Sequence, residues 1–164
     1  ARAIAGLPLI LALQHGYSSL AWWWLLLAGL SDAADGWLAR RAGGGSSWGA
    51  RLDPLTDKVL IAAPLLWLAS EDVLPLWAVW LLLARELLIS GWRSQANDGA
   101  PASAAGKAKT ILQFLSLLMM LWPASWIGEA VIVPLGWWLF WPSLLMALGS
   151  AIGYIRPRPR LHRR

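Results

Sequence analysis

Six stretches of low polarity divide the chain, at about 4–13, 20–30, 59–69, 73–83, 111–122 and 131–152. Several approach the roughly 20 residues that a helix needs to cross a bilayer, so the pattern predicts six transmembrane helices and an all-α integral membrane fold. The first stretch is too short to span and the chain opens on Ala, which leads us to expect a first helix truncated at its N-terminus. It does not read as a signal peptide, because no small-residue cleavage site follows and the chain re-enters the membrane at once. No internal repeat is visible. The most polar connection, 95–103, has the Asn, Asp, Gly and Pro of a loop.

Composition supports the membrane reading. Of the 164 residues, 58% are hydrophobic and 14% charged, where a soluble domain averages roughly 25% charged. Mean hydropathy is +0.53. The 14 Trp suit a chain with two membrane–water interfaces. The absence of Cys excludes disulfides and thiolate metal sites. A single catalytic domain is expected over 1–155, followed by the basic tail "RPRPRLHRR", 156–164, lying near anionic headgroups.

The net charge of +5 would suit nucleic acid, but its placement argues for a membrane and against that partner. Arg40, Arg41, Arg51 and Lys58 flank the second gap between apolar stretches, and Arg85, Arg93, Lys107 and Lys109 flank the fourth. Arg2 precedes the first stretch and five arginines follow the last. The other connections carry no basic residue at all. By the positive-inside rule, both termini and the second and fourth gaps are cytoplasmic.

Four aspartates stand out against this background. Asp32 and Asp35 are expected at the end of the second helix, just after its apolar stretch, and Asp53 and Asp57 at the start of the third, just before its own. Spacings of three and four place each pair on one helical face. "AGGGSS" between them offers an easy reversal, so the pairs can confront one another. Unpaired carboxylates at a membrane edge are costly, and four together repel unless cations neutralise them or some take up protons. An all-oxygen ligand set suits hard ions such as Mg²⁺, Mn²⁺ or Ca²⁺. Asp32, Gly36 and Arg40 form one i, i+4, i+8 stripe with Asp35 and Ala39 beside it, and Gly49, Asp53 and Asp57 form another. Alternatively, Asp53-Pro54 caps a helix that starts there, which would remove Gly49 from its stripe. The plain alternative for the whole stretch is a solvated juxtamembrane loop with helix-packing glycines.

These residues also spell D-x₂-D-G-x₂-A-R-x₈-G-x₃-D-x₃-D, as Asp32, Asp35, Gly36, Ala39, Arg40, Gly49, Asp53 and Asp57. The pattern resembles the signature of the CDP-alcohol phosphotransferases, with every spacer at the family length. The six-helix membrane fold of that family agrees with the topology read from charge. The flanking stretches "ARLDPLTDKVL", "ARELLISGWR" and "GKAKTILQ" resemble its bacterial phosphatidylglycerophosphate synthase branch, the likeness running over about 2–154. "RAIAGLPLI" looks like the tail of that branch's first helix, whose usual Asn and Thr would precede residue 1.

The resemblance implies transfer of a phosphatidyl group from CDP-diacylglycerol to sn-glycerol 3-phosphate, giving phosphatidylglycerol phosphate and CMP. It implies two divalent ions, Mg²⁺ or Mn²⁺, held by Asp32, Asp35, Asp53 and Asp57, with Asp57 also the general base. It implies a CDP site of Asp32, Gly36, Ala39, Arg40 and Gly49. It further implies an acceptor-phosphate pocket with Arg93, Lys107 and Tyr154, to which Arg85 and Lys109 add charge on the same side. The plain alternative for these cations is ordinary positive-inside residues. Glu86 adjoins Arg85 but would point elsewhere on a helix, as a structural partner for another cation. The implied setting is a bacterial plasma membrane with the site facing the cytoplasm, membrane lipids around it, and a homodimer as the family often forms.

Other residues attract plainer readings. His15 and His162 lie on opposite sides and cannot share a metal. Met119 and Met120 face lipid or core. Trp22–Trp24 and Trp137–Trp138 read as membrane anchors, and Glu71, Asp72 and Glu129 as solvated acids of the outer loops. Rival functions are another acceptor within the same family (inositol phosphate, serine or a lipid), a divalent-cation transporter, or a hydrophobic scaffold. A transporter should hold its acids near the midplane, on a route open to both sides.

Overall fold

In a computed structural model of the protein, the backbone is described for residues 2–41, 49–95 and 104–155, and side-chain surroundings for 5–31, 34, 58–91 and 108–151. The described residues form six helices and no strand: α1 Arg2–Gln14, α2 Ser18–Arg41, α3 Gly49–Ser70, α4 Leu76–Gln95, α5 Ala104–Met120 and α6 Glu129–Ile155. Each apolar stretch falls on one helix, with 73–75 and 121–122 in the turns beside α4 and α5. Four helices run well past their apolar stretches, with α4 reaching Gln95 and α5 beginning at Ala104. α2 continues to Arg41, and α3 begins at Gly49, well before its own.

Among the described residues only Glu129–Ala151 of α6 is long and apolar enough to cross a membrane on length and composition. The described apolar segments of α1, α2, α3 and α5, Ala5–Gln14, Ser18–Ser31, Lys58–Ser70 and Ala108–Met120, are shorter. The bundle nevertheless exposes large apolar side chains on every helix. On α4, Leu76, Trp80 and Leu88 are 68%, 65% and 72% exposed. Soluble monomers rarely show apolar surface on that scale, and lipid is the solvent that suits it.

Three turns reverse the chain over 15–17, 71–75 and 121–128. The first two are built alike. At the end of α1, Tyr17 N–H donates to Ala12 O and Gly16 N–H to Leu13 O, with Gly16 at φ 76°. At the end of α3, Val73 N–H donates to Leu68 O and Asp72 N–H to Ala69 O, with Asp72 at φ 57°. Both satisfy the orphan carbonyls of a helix end through a left-handed residue. Glycine adopts that conformation freely, whereas Asp does so at some cost. Asp72, exposed as expected for an outer-loop acid, thus also terminates α3.

Packing is not a simple meander. α1 lies against α2 and α3, α3 against α4 and α5, α4 against α6, and α5 most extensively against α6. Leu9, Leu25, Leu65, Leu82, Leu117 and Phe140 form the centre of the core, all fully buried. α5 and α6 approach closely at Gly136, where a Cβ would lie 2.6 Å from Met119 Cβ and 2.9 Å from the Met120 backbone nitrogen. Small residues at such crossings are how membrane helices gain contact without a hydrophobic drive. Met120 belongs to the core.

The tryptophans divide between two jobs. Trp22 donates to Leu118 O at 2.8 Å and packs edge-on against Trp122 and Trp126, fastening α2 to the end of α5. Trp137 donates to Val73 O at 3.1 Å, fastening α6 to the α3–α4 turn. These two are therefore structural fasteners more than anchors. Trp23 and Trp138 are exposed, as interfacial anchors would be, whereas Trp24, also exposed, donates to Ala5 O at 2.9 Å and so fastens α2 to α1 as well.

Candidate active site

The eight motif residues occupy two helix ends. Asp32, Asp35, Gly36, Ala39 and Arg40 lie in the last three turns of α2, and Gly49, Asp53 and Asp57 in the first turns of α3. Their side chains lie outside the described residues, so their placement rests on backbone register. That register settles one alternative. α3 starts at Gly49 and runs unbroken through Asp53-Pro54, so Asp53 does not cap the helix. Gly49, Asp53 and Asp57 keep one stripe. The intervening residues 42–48 also lie outside the described ones.

The same helix ends gather the other candidate residues. Short reversals after α1, α3 and α5 make consecutive helices antiparallel, so odd helices begin where even helices end. Arg85 and Arg93 lie in the second half of α4, Lys107 and Lys109 in the first turns of α5, and Tyr154 in the last turn of α6. All share one end of the bundle with the aspartates. The side chains of Arg93, Lys107 and Tyr154 lie outside the described residues.

Just inside that end, the described side chains form an ion cluster. The Glu86 carboxylate accepts from Arg85 Nη1 at 2.6 Å and from Lys109 Nζ, both on Oε1. Its Oε2 lies 3.6 Å from Lys58 Nζ, which also donates to the Glu86 backbone carbonyl at 2.6 Å. Arg85 reaches onward, Nε to Ala147 O at 2.8 Å and Nη2 to Ser150 Oγ at 2.6 Å. One carboxylate thus gathers cations from α3, α4 and α5, and Arg85 extends the link to α6. Lys109 is only 5% exposed. Buried charges persist where they are paired and hydrogen-bonded, which is the arrangement here.

The expectation for Glu86 was half right. It does pair with cations from other helices, but it also contacts adjacent Arg85, because the long guanidinium folds across the helix surface. Lys58, one of the basic residues flanking the second gap, is the third cation of the cluster. A lone acid among the leucines of α4 was the signal available in the sequence. Phe114 of α5 lies against Gly29 of α2, one turn before Asp32.

Comparison with known proteins places the chain. The profile of the CDP-alcohol phosphatidyltransferases matches residues 1–149. The chain belongs to that family. It is 35% identical over 138 residues to the CDP-diacylglycerol–glycerol-3-phosphate 3-phosphatidyltransferase of Salmonella choleraesuis (strain SC-B67), covering 79% of this chain and 72% of that protein. The enzyme of the same name from Escherichia coli (strain K12) matches to the same extent. The family match covers both helix ends that carry the motif and the Glu86 cluster behind them.

Proposed function

We propose that this protein transfers the phosphatidyl group of CDP-diacylglycerol to sn-glycerol 3-phosphate, releasing CMP and forming phosphatidylglycerol phosphate. The observation that carries the reading is the eight-residue motif, held in unbroken helical register on α2 and α3. The named relatives supply the acceptor.

In this reading Asp32, Asp35, Asp53 and Asp57 hold two divalent ions, Mg²⁺ or Mn²⁺. The donor set fits: four carboxylates, in pairs three and four apart on two helices, with oxygen as the only ligand atom. When bound, the ions supply positive charge against the diphosphate and the departing CMP. Gly36 and Gly49 lack side chains, so the nucleotide can lie against helix backbone, beside Asp32 and Ala39. Arg40 offers a bidentate fork to a phosphate. Asp57 takes the proton of the glycerol hydroxyl. That oxygen forms a bond to the phosphorus bearing the lipid, and the bond from that phosphorus to the CMP oxygen breaks.

The acceptor brings a phosphate of its own. Arg93, Lys107 and Tyr154, nearest the helix ends, meet it, with Arg85 and Lys109 further in and held by Glu86. Six spans with both termini cytoplasmic put this pocket at the inner face of a bacterial plasma membrane. There the donor's headgroup and a water-soluble acceptor can meet. A homodimer is compatible with the exposed apolar faces.

The test is CMP release by purified, lipid-supplied protein, comparing glycerol 3-phosphate, inositol phosphate, serine and phosphatidylglycerol. Release with glycerol 3-phosphate alone is expected. Release with another acceptor would keep the family and overturn the substrate. A divalent-cation transporter would release CMP with none of them.

A further inference from the structure

Glu86 has no place in the chemistry above, yet three cations converge on it. Its side chain is 14% exposed, and Lys58, Arg85 and Lys109 all bear on it. The contacts are unequal in what they fix. Lys58 donates to the Glu86 backbone carbonyl at 2.6 Å and approaches Oε2, so α3 is tied to α4 twice at one point. Lys109 ties α5 to the same carboxylate through Oε1. Lys58 directly follows Asp57, and Lys109 is two residues from Lys107. The carboxylate therefore stands between the helix that carries the proposed base and the helix that carries a proposed acceptor cation.

Charge balance sharpens the point. Three cations share one carboxylate in a half-buried pocket. Arg85 has other partners in Ala147 O and Ser150 Oγ and would stay in place without Glu86. Lys58 and Lys109 would then face Arg85 with no carboxylate between them among the described residues, and like charges in a poorly solvated site repel strongly. α3 and α5 would move apart, each taking its half of the reaction with it.

We propose that Glu86 is a positioning residue for the acceptor half of the reaction, holding α5 in register with α3 so that acceptor phosphate and base meet one substrate. This rests on the reading of the acceptor as glycerol 3-phosphate. It distinguishes Glu86 from a residue that only stabilises the fold, since loss of folded protein lowers the apparent kcat and leaves both KM values unchanged. Loss of registration acts on the acceptor more than on the donor, whose site belongs to α2 and the start of α3.

The test uses the full chain in mixed micelles with saturating Mg²⁺, varying glycerol 3-phosphate and CDP-diacylglycerol in turn. Glu86→Gln keeps the size and removes the charge; Glu86→Asp keeps the charge and shortens the reach. The expected result is a KM for glycerol 3-phosphate raised about tenfold or more in Glu86→Gln. A smaller rise is expected in Glu86→Asp, with the KM for CDP-diacylglycerol within about twofold of wild type in both. An unchanged acceptor KM, or equal rises for both substrates, would overturn the proposal. If Glu86→Gln does not fold, Glu86→Asp decides alone by the same criterion. Wild-type protein inactive with glycerol 3-phosphate would instead overturn the substrate reading, so the two failures are separable.

Discussion

Asp57 and Asp72 show how differently two aspartates in one chain can be used. Asp57 sits in a register shared with Gly49 and Asp53, and its proposed task is to remove a proton. Asp57→Asn keeps size and polarity but cannot accept that proton. General base catalysis contributes about 10²–10⁴-fold. CMP release should fall by about that factor while the melting temperature stays near wild type. Asp72 occupies a left-handed position that Gly16 fills at the matching turn. Asp72→Gly should therefore raise stability by about 0.5–1 kcal/mol, seen as a higher melting temperature, with activity unchanged. The motif aspartates were legible in the sequence because register is local. The Glu86 cluster was not, because Lys58 and Lys109 meet Glu86 across 28 and 23 residues of chain. Such pairing depends on which helices become neighbours, and a single sequence does not state that.

At the scale of the helix, the hydrophobic pattern located all six elements, since each apolar stretch forms one helix. It understated α2, α3, α4 and α5, whose polar ends lie beyond the apolar stretches. Asp53-Pro54 resembled a helix start, yet the helix extends back to Gly49 and keeps the stripe whole. The close contact of α5 and α6 was likewise hidden, as Gly136 lies within an ordinary apolar run. Its missing side chain leaves room for Met119 and the α5 backbone. Because backbone cannot yield as a flexible side chain can, Gly136→Ala should cost about 1–3 kcal/mol. Thermal unfolding in detergent would detect it, and an unchanged melting temperature would mean the two helices separate easily. The Trp22 bond to Leu118 O was equally invisible, since a tryptophan at a membrane edge reads as an anchor whether or not it also bonds inward.

For the whole molecule, the distribution of 14 basic residues supplied a topology that helix length alone does not. Only α6 passes as a span by length and composition among the described residues, yet every helix exposes apolar side chains. The chain contains no Cys, so single cysteines can report sidedness directly. Cysteines at Glu71 and Ile127 should react with an impermeant maleimide added to intact cells. One at Asp98 should react only after permeabilisation. Labelling of all three from outside would contradict the positive-inside reading. The aspartate quartet makes a second claim at this scale: chelating divalent ions should abolish CMP release, and Mg²⁺ or Mn²⁺ should restore it.

The most direct test of the central claim is the stoichiometry of the reaction in purified protein with CDP-diacylglycerol, glycerol 3-phosphate and Mg²⁺. The account predicts CMP and phosphatidylglycerol phosphate in equal amounts from wild type, and both lowered by about 10²–10⁴-fold in Asp57→Asn. CMP without the phosphorylated lipid, or equal activity in Asp57→Asn, would contradict it.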